Sequence, residues 1–211
     1  MLTLIYGGTF DPVHCGHLAV ARAAAAALHA EVRLVPAADP PHRDAPHASA
    51  EQRAQMLELA IAGERGLRLD RRELQRSGPS YTIQTLLELR DELGDSAPLG
   101  LLLGADAFLG LPTWRLWREL LAMAHLVVAQ RPGHALQALP EVLAQALEGH
   151  WTQRPDDLRR LPAGRVLTLD VGERHESSTQ LRERLASGGD WPAWVPPAVA
   201  QYIRSHHLYG M

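Results

Sequence analysis

Apolar residues fall in short, nearly unbroken runs, with longer stretches of helical spacing between them. The runs cover residues 2–6, 31–36, 67–70, 99–103, 125–130 and 166–171. Runs of that length, rich in Leu, Ile and Val, predict buried strands. The alanine-rich stretch 18–29 predicts a helix because alanine has the highest intrinsic helix propensity. Ser49 with Gln52 forms a capping-box signal for a helix over 50–62. Ser80 or Thr82 opens a third helix whose Leu86, Leu87, Leu89 and Leu93 form one stripe. Further helices are expected around Trp117 to Leu121, over 138–147, and over 196–207, the last closing over the edge of the sheet. Residues 150–164 read as an extended loop, with Arg154, Arg159 and Arg160 solvated. Strands alternating with helices predict an α/β fold: a doubly wound parallel sheet with helices on both faces and right-handed crossovers. One domain over 1–211 is expected, its part from about 172 to 211 a helical, phosphate-binding subregion.

Composition narrows the class. In 211 residues, 46% hydrophobic and 21% charged positions describe an ordinary globular domain with room for a full core. A net charge of −3 gives no basic face for nucleic acid. No apolar run reaches membrane-spanning length. The single cysteine excludes an internal disulfide, and with no signal peptide at Met1 the expected setting is cytoplasmic. All 21 basic residues are arginine. A P-loop mechanism, which needs its lysine, is therefore excluded, and no G-x-G-x-x-G fingerprint is present. Any nucleotide phosphates must be held by arginine, histidine, backbone amides and a metal ion.

The first strand runs into Gly7-Gly8-Thr9-Phe10-Asp11-Pro12-Val13-His14-Cys15-Gly16-His17. Glycines at such a turn let the backbone approach a ligand, and the helix start beyond it offers free N–H groups and a positive dipole end to phosphate. His14 and His17 are three residues apart and share a face if the helix has begun. A zinc site does not fit: the spacing is wrong and no second cysteine exists. Leu99 to Leu103 repeats the pattern and ends at Gly104-Ala105-Asp106, where the aspartate either caps a helix or takes a ribose hydroxyl or metal-bound water. Ser177, Ser178 and Thr179 combine hydroxyls with free amides at a helix start, and Arg182 one turn on can fork onto phosphate oxygens. The 37–48 loop with His42 and Arg43, and Arg131 after the fifth strand, lie where open parallel sheets form their ligand crevice.

These motifs together resemble the nucleotidyltransferases that carry an H-x-G-H pair, and among them the bacterial nicotinate-nucleotide adenylyltransferases. The likeness runs nearly the full length: Pro40-Pro41-His42-Arg43, residues 56–61, Pro79-Ser80-Tyr81-Thr82, Gly104-Ala105-Asp106, Pro112-Thr113-Trp114, Arg131-Pro132-Gly133 and Ser177-Ser178-Thr179 with Arg182. One departure stands out. The family usually has an apolar residue where this chain has Glu176, and a carboxylate there would repel a triphosphate.

The resemblance implies adenylyl transfer from ATP to nicotinate mononucleotide, giving the deamido dinucleotide and pyrophosphate. It implies catalytic His14, His17 and Arg182. Gly7, Gly8, Thr9, Phe10, Gly104, Asp106, Ser177, Ser178 and Thr179 would bind ATP. His42, Arg43, Tyr81, Thr82, Trp114 and Arg131 would bind the acceptor, with Thr82 reaching the pyridine carboxylate and the Trp114 indole stacking on the ring. Mg²⁺ would bridge the phosphates, with no direct protein ligand, and a homo-oligomer stays open. Three alternatives also stay open: the amide mononucleotide as acceptor, another phosphorylated acceptor such as phosphopantetheine, and a silent nucleotide-binding protein.

Overall fold

A computed structural model of the chain describes residues 1–38, 45–130, 139–172 and 176–211. All six expected strands form: β1 (Thr3–Gly8), β2 (Glu31–Pro36), β3 (Leu67–Leu69), β4 (Leu99–Gly104), β5 (His125–Gln130) and β6 (Val166–Asp170). They make one sheet in the order β3-β2-β1-β4-β5-β6, every pair parallel. The strand order reverses between β1 and β4, so the crevice of a doubly wound sheet belongs there, at the carboxyl ends. The register shows how it opens. β1 pairs with β2 along its whole length but with β4 only from Thr3↔Leu99 to Ile5↔Leu101. Beyond Ile5 the two central strands part.

Alternation along each strand sorts the core into two layers. Leu4, Val32, Leu34, Leu102 and Val127 face one side; Ile5, Val35, Leu101, Leu103 and Val128 face the other. The first layer is covered by α1 (Cys15–Leu28) and α2 (Ala50–Ile61), together with α8 (Ser178–Ser187) and α9 (Pro197–Ser205). The second is covered by α3 (Thr82–Leu93), the short α4 (Ala105–Leu109), α5 (Trp117–Met123) and α6 (Glu141–Ala146). Ala21 and Ala24 are fully buried, which lets α1 lie close on the sheet.

Several boundaries differ from expectation. α1 starts at Cys15, not Leu18, because His14 caps it. The expected 150–164 loop contains a helix, α7 (Pro155–Arg160), with Pro155 in its first turn, Asp156 and Asp157 at its positive end and Arg159 and Arg160 at its negative end. The polar 71–79 stretch contains a 3₁₀ turn, Arg72–Gln75. The last helix does not close over a sheet edge; α9 packs against α2 and buries Val199 and Ile203 in the first layer. No helix among the described residues is long and apolar enough to cross a membrane.

Candidate active site

The two histidines sit at the start of α1 and cap it reciprocally. His14 Nδ1 accepts the amide of His17 at 3.3 Å, and His17 Nδ1 accepts the amide of His14 at 3.3 Å. An imidazole nitrogen that accepts carries no proton, so both rings are held as Nε2–H tautomers. The rings stack with centroids 3.7 Å apart and 27° between planes. One capping device therefore presents two parallel N–H donors at a helix N-terminus. Gly16 leaves room for this stack: a Cβ there would lie a tight 3.0 Å from His14 Nδ1 and 3.5 Å from the Glu176 carbonyl oxygen.

The Phe10 side chain is buried. Its ring meets Tyr6 and His17 edge-on at 5.7 and 5.0 Å, and its backbone takes a left-handed φ of 51°. The packing of that ring holds the turn, so its side chain shapes the loop from below.

The distant serine motif docks onto this same turn. Ser177 caps α8 by accepting the Gln180 amide, Ser178 donates its hydroxyl to the Pro12 carbonyl at 3.1 Å, and Arg182 donates to the Asp11 carbonyl at 2.7 Å. Arg182 also approaches the Thr179 hydroxyl at 3.5 Å. Because Ser178 spends its proton on Pro12, an anion here meets its backbone N–H, not its hydroxyl.

Between the parted ends of β1 and β4 lies a cavity of about 370 Å³. Gly7, Gly8, Thr9, Tyr81, Thr82, Gly104, Asp106 and Trp114 all line it. Asp106 makes no side-chain cap on α4, and Trp114 stands half-buried in the wall while Trp117 is in the core. Tyr81 is the N-cap residue of α3 without a side-chain cap bond, so Thr82 stands at the first position of that helix.

The sequence profile of the family described as cytidylyltransferase-like matches residues 5–184. A Stenotrophomonas maltophilia protein named "probable nicotinate-nucleotide adenylyltransferase" is 54% identical, over 99% of this chain and 96% of its own. A Xylella fastidiosa protein of the same name is 48% identical, over 100% and 97%. This chain belongs to the cytidylyltransferase-like family, among its nicotinate-nucleotide adenylyltransferases. A solved Plasmodium falciparum nicotinic acid mononucleotide adenylyltransferase complexed with NaAD shares the fold, with a TM-score of 0.73 at 18% identity over 98% of this chain and 96% of that one.

Within this adenylyltransferase, three buried polar residues hold the site together, and sequence reasoning passes over the part of two of them, Arg53 and Glu73. Arg53, on the buried face of α2, is 1% exposed and donates to three backbone carbonyls: Thr9 at 2.7 Å, Ala48 at 3.3 Å and Ala38 at 3.5 Å. Asp11 is 3% exposed and accepts the amides of His47 and Ala48 at 2.8 and 3.1 Å, plus the Tyr209 hydroxyl at 2.8 Å. The C-terminal turn is thereby tied to the loop ahead of the two histidines. Glu73 is buried in the cavity wall, takes the Thr85 hydroxyl at 2.6 Å, and lies near Ser80, which in turn accepts the Ala38 amide at 3.0 Å. An arginine recurring with Met56, Leu57 and Ala60 on an apolar stripe was the one readable signal. His42, Arg43 and Arg131 lie outside the described residues.

Burial pulls the His14 imidazole down to about 4, with the Glu176 carboxylate opposing it. His14 is thus neutral at pH 7, in keeping with its accepting Nδ1. The sign of the stability effect follows. Unfolded, this histidine titrates near ~6.5, so between that pH and about 4 the unfolded chain binds more protons and native stability falls as pH drops. The loss from this residue amounts to about 3 kcal/mol at full extent. Urea denaturation from pH 7 to 4.5 should show a steeper fall for the native chain than for His14→Gln. The comparison is needed because His125 is also held low by burial. Equal slopes would refute it.

Proposed function

We propose that the chain transfers the adenylyl group of ATP to nicotinate mononucleotide, releasing the deamido dinucleotide and pyrophosphate, a step of NAD biosynthesis. One observation carries the reading: the Ser177–Arg182 segment is bonded to the Asp11–Pro12 turn ahead of the histidines, and that turn follows directly on Gly7, Gly8 and Thr9, which line a cavity walled by Trp114, Tyr81 and Thr82. The turn accounts for phosphate chemistry, and the wall for a flat heterocycle.

The nucleophile is a phosphate monoester, whose second pKa of ~6 leaves it mostly dianionic at neutral pH. No general base is needed. Its oxygen forms a bond to the α-phosphorus; the bond from that phosphorus to the bridging oxygen breaks, and pyrophosphate leaves with the electron pair. The barrier is the meeting of two anions and the charge that builds on the α-phosphate and leaving group. His14 and His17 donate Nε2–H to those oxygens. Because the capping bonds fix ring orientation beforehand, little reorganisation accompanies the reaction. Arg182 and the first amides of α8 hold the outer phosphates, which makes 172–211 the phosphate-binding part of the chain. Gly7, Gly8, Thr9, Gly104 and Asp106 admit the nucleotide.

Among the described residues no group of three or more His, Cys, Asp or Glu side chains converges as a metal site. Mg²⁺ would come with the ATP phosphates; Asp106, which lines the cavity, would accept a hydrogen bond from one of its waters, and the ion would supply neutralisation of phosphate charge. We place the reaction in the cytoplasm, in keeping with the lone cysteine.

With ATP and Mg²⁺, adding nicotinate mononucleotide should produce pyrophosphate and dinucleotide in equal amounts. ATP binding without acceptor-dependent pyrophosphate release would identify a silent nucleotide-binding protein instead.

A further inference from the structure

The cavity wall holds two carboxylates, Glu73 and Asp106, and one cation among its described residues, Arg115. The charge of Glu73 is already taken up in the wall by the Thr85 hydroxyl at 2.6 Å and by Arg76 at 3.9 Å. Arg115 is in a different situation. Its guanidinium carbon lies 5.0 Å from the centroid of the Tyr81 ring, and it pairs with no carboxylate among the described residues. A guanidinium over an aromatic face is attracted by the ring and still carries N–H donors for a further partner. Both neighbours matter: Trp114 precedes it in the chain, and Tyr81 leads into Thr82, so the fork stands at the aromatic end of the cavity.

Resting on the reading that this cavity holds the acceptor's pyridine ring, the question becomes how acid is told from amide. The Thr82 hydroxyl is a neutral donor, and a carboxylate oxygen and an amide oxygen both accept from it. The two ligands differ by a full negative charge and by a second equivalent acceptor oxygen. A cation with a forked donor responds to both differences. We infer that Arg115, shelved on Tyr81, is a specificity-determining residue that pairs with the pyridine carboxylate and makes the site prefer the acid to the amide.

The test is the ratio of kcat/KM for nicotinate mononucleotide to that for nicotinamide mononucleotide, measured in the native chain, Arg115→Met and Arg115→Lys. Arg115 is solvent-exposed, so neither variant disturbs the core. Arg115→Met should lower the ratio about 10-fold, through a higher KM for the acid, the scale of one charge-assisted hydrogen bond in a half-open wall. Arg115→Lys, which keeps the charge but loses the fork, should fall between. Raising ionic strength should raise the KM for the acid in the native chain and much less in Arg115→Met. An unchanged ratio in Arg115→Met overturns the inference, and so does an equal loss with both acceptors, which marks a structural role. A native chain that adenylylates neither mononucleotide would instead bring down the function proposed above, and this inference with it.

Discussion

Replacing either His14 or His17 with alanine lowers kcat about 10²- to 10³-fold, the scale for losing one preorganised donor to developing charge. KM for ATP and for the acceptor should shift only a few-fold, because the donors act most strongly when charge builds on the α-phosphate and leaving group. Each imidazole accepts the other residue's backbone amide, which alanine keeps, so the ring that remains holds its own capping bond and loses only its stacked neighbour, 3.7 Å away. The double variant should therefore fall below either single one in kcat, by less than the product of the two losses, because the two rings are in contact. Loss of a cap also costs stability, about 1 kcal/mol, which urea denaturation separates from the catalytic effect. Steady-state kinetics showing a KM effect alone would remove both histidines from the transition state.

Arg53→Met should cost about 3–5 kcal/mol of stability, the range for removing one member of a buried, hydrogen-bonded charge system. Methionine fills much of the volume but donates nothing. The carbonyls of Thr9, Ala48 and Ala38 lose a shared donor, and the buried Asp11 carboxylate loses the nearby positive charge. Burial lowers the basicity of Arg53 and Asp11 raises it, so the two charges depend on each other. Arg53→Lys should recover little, since one ammonium cannot reach three carbonyls in the plane of a guanidinium. Because the same bonds hold the turn ahead of His14, activity should fall in proportion even where the variant remains folded. A loss below about 1 kcal/mol in denaturant unfolding would mean the loops are held by other contacts.

The sheet is legible in the chain because its strands are buried on both faces and so read as apolar runs; all six appear close to their expected bounds. The start of α1 is not, since cap rules favour Ser, Thr, Asp and Asn, and a histidine pair capping itself falls outside them. Helix α7 was hidden by a sequence with no apolar stripe: a proline, paired charges and Leu158 as its one buried side chain carry it. The cavity residues Tyr81, Thr82 and Trp114 were readable through family likeness, which places residue types at motif positions. Arg53, Glu73 and Tyr209 show what spacing cannot reveal. Their partners are mainly backbone groups or hydroxyls far along the chain, as in the Tyr209–Asp11 bond between the last turn and the first loop.

The central claim is tested most directly by competition. Limiting ATP with Mg²⁺ is offered equimolar nicotinate and nicotinamide mononucleotides, and the dinucleotide products are separated and quantified. The account predicts pyrophosphate matched by dinucleotide, with the acid form dominating. Predominance of the amide dinucleotide, or ATP consumed without either dinucleotide, would contradict it.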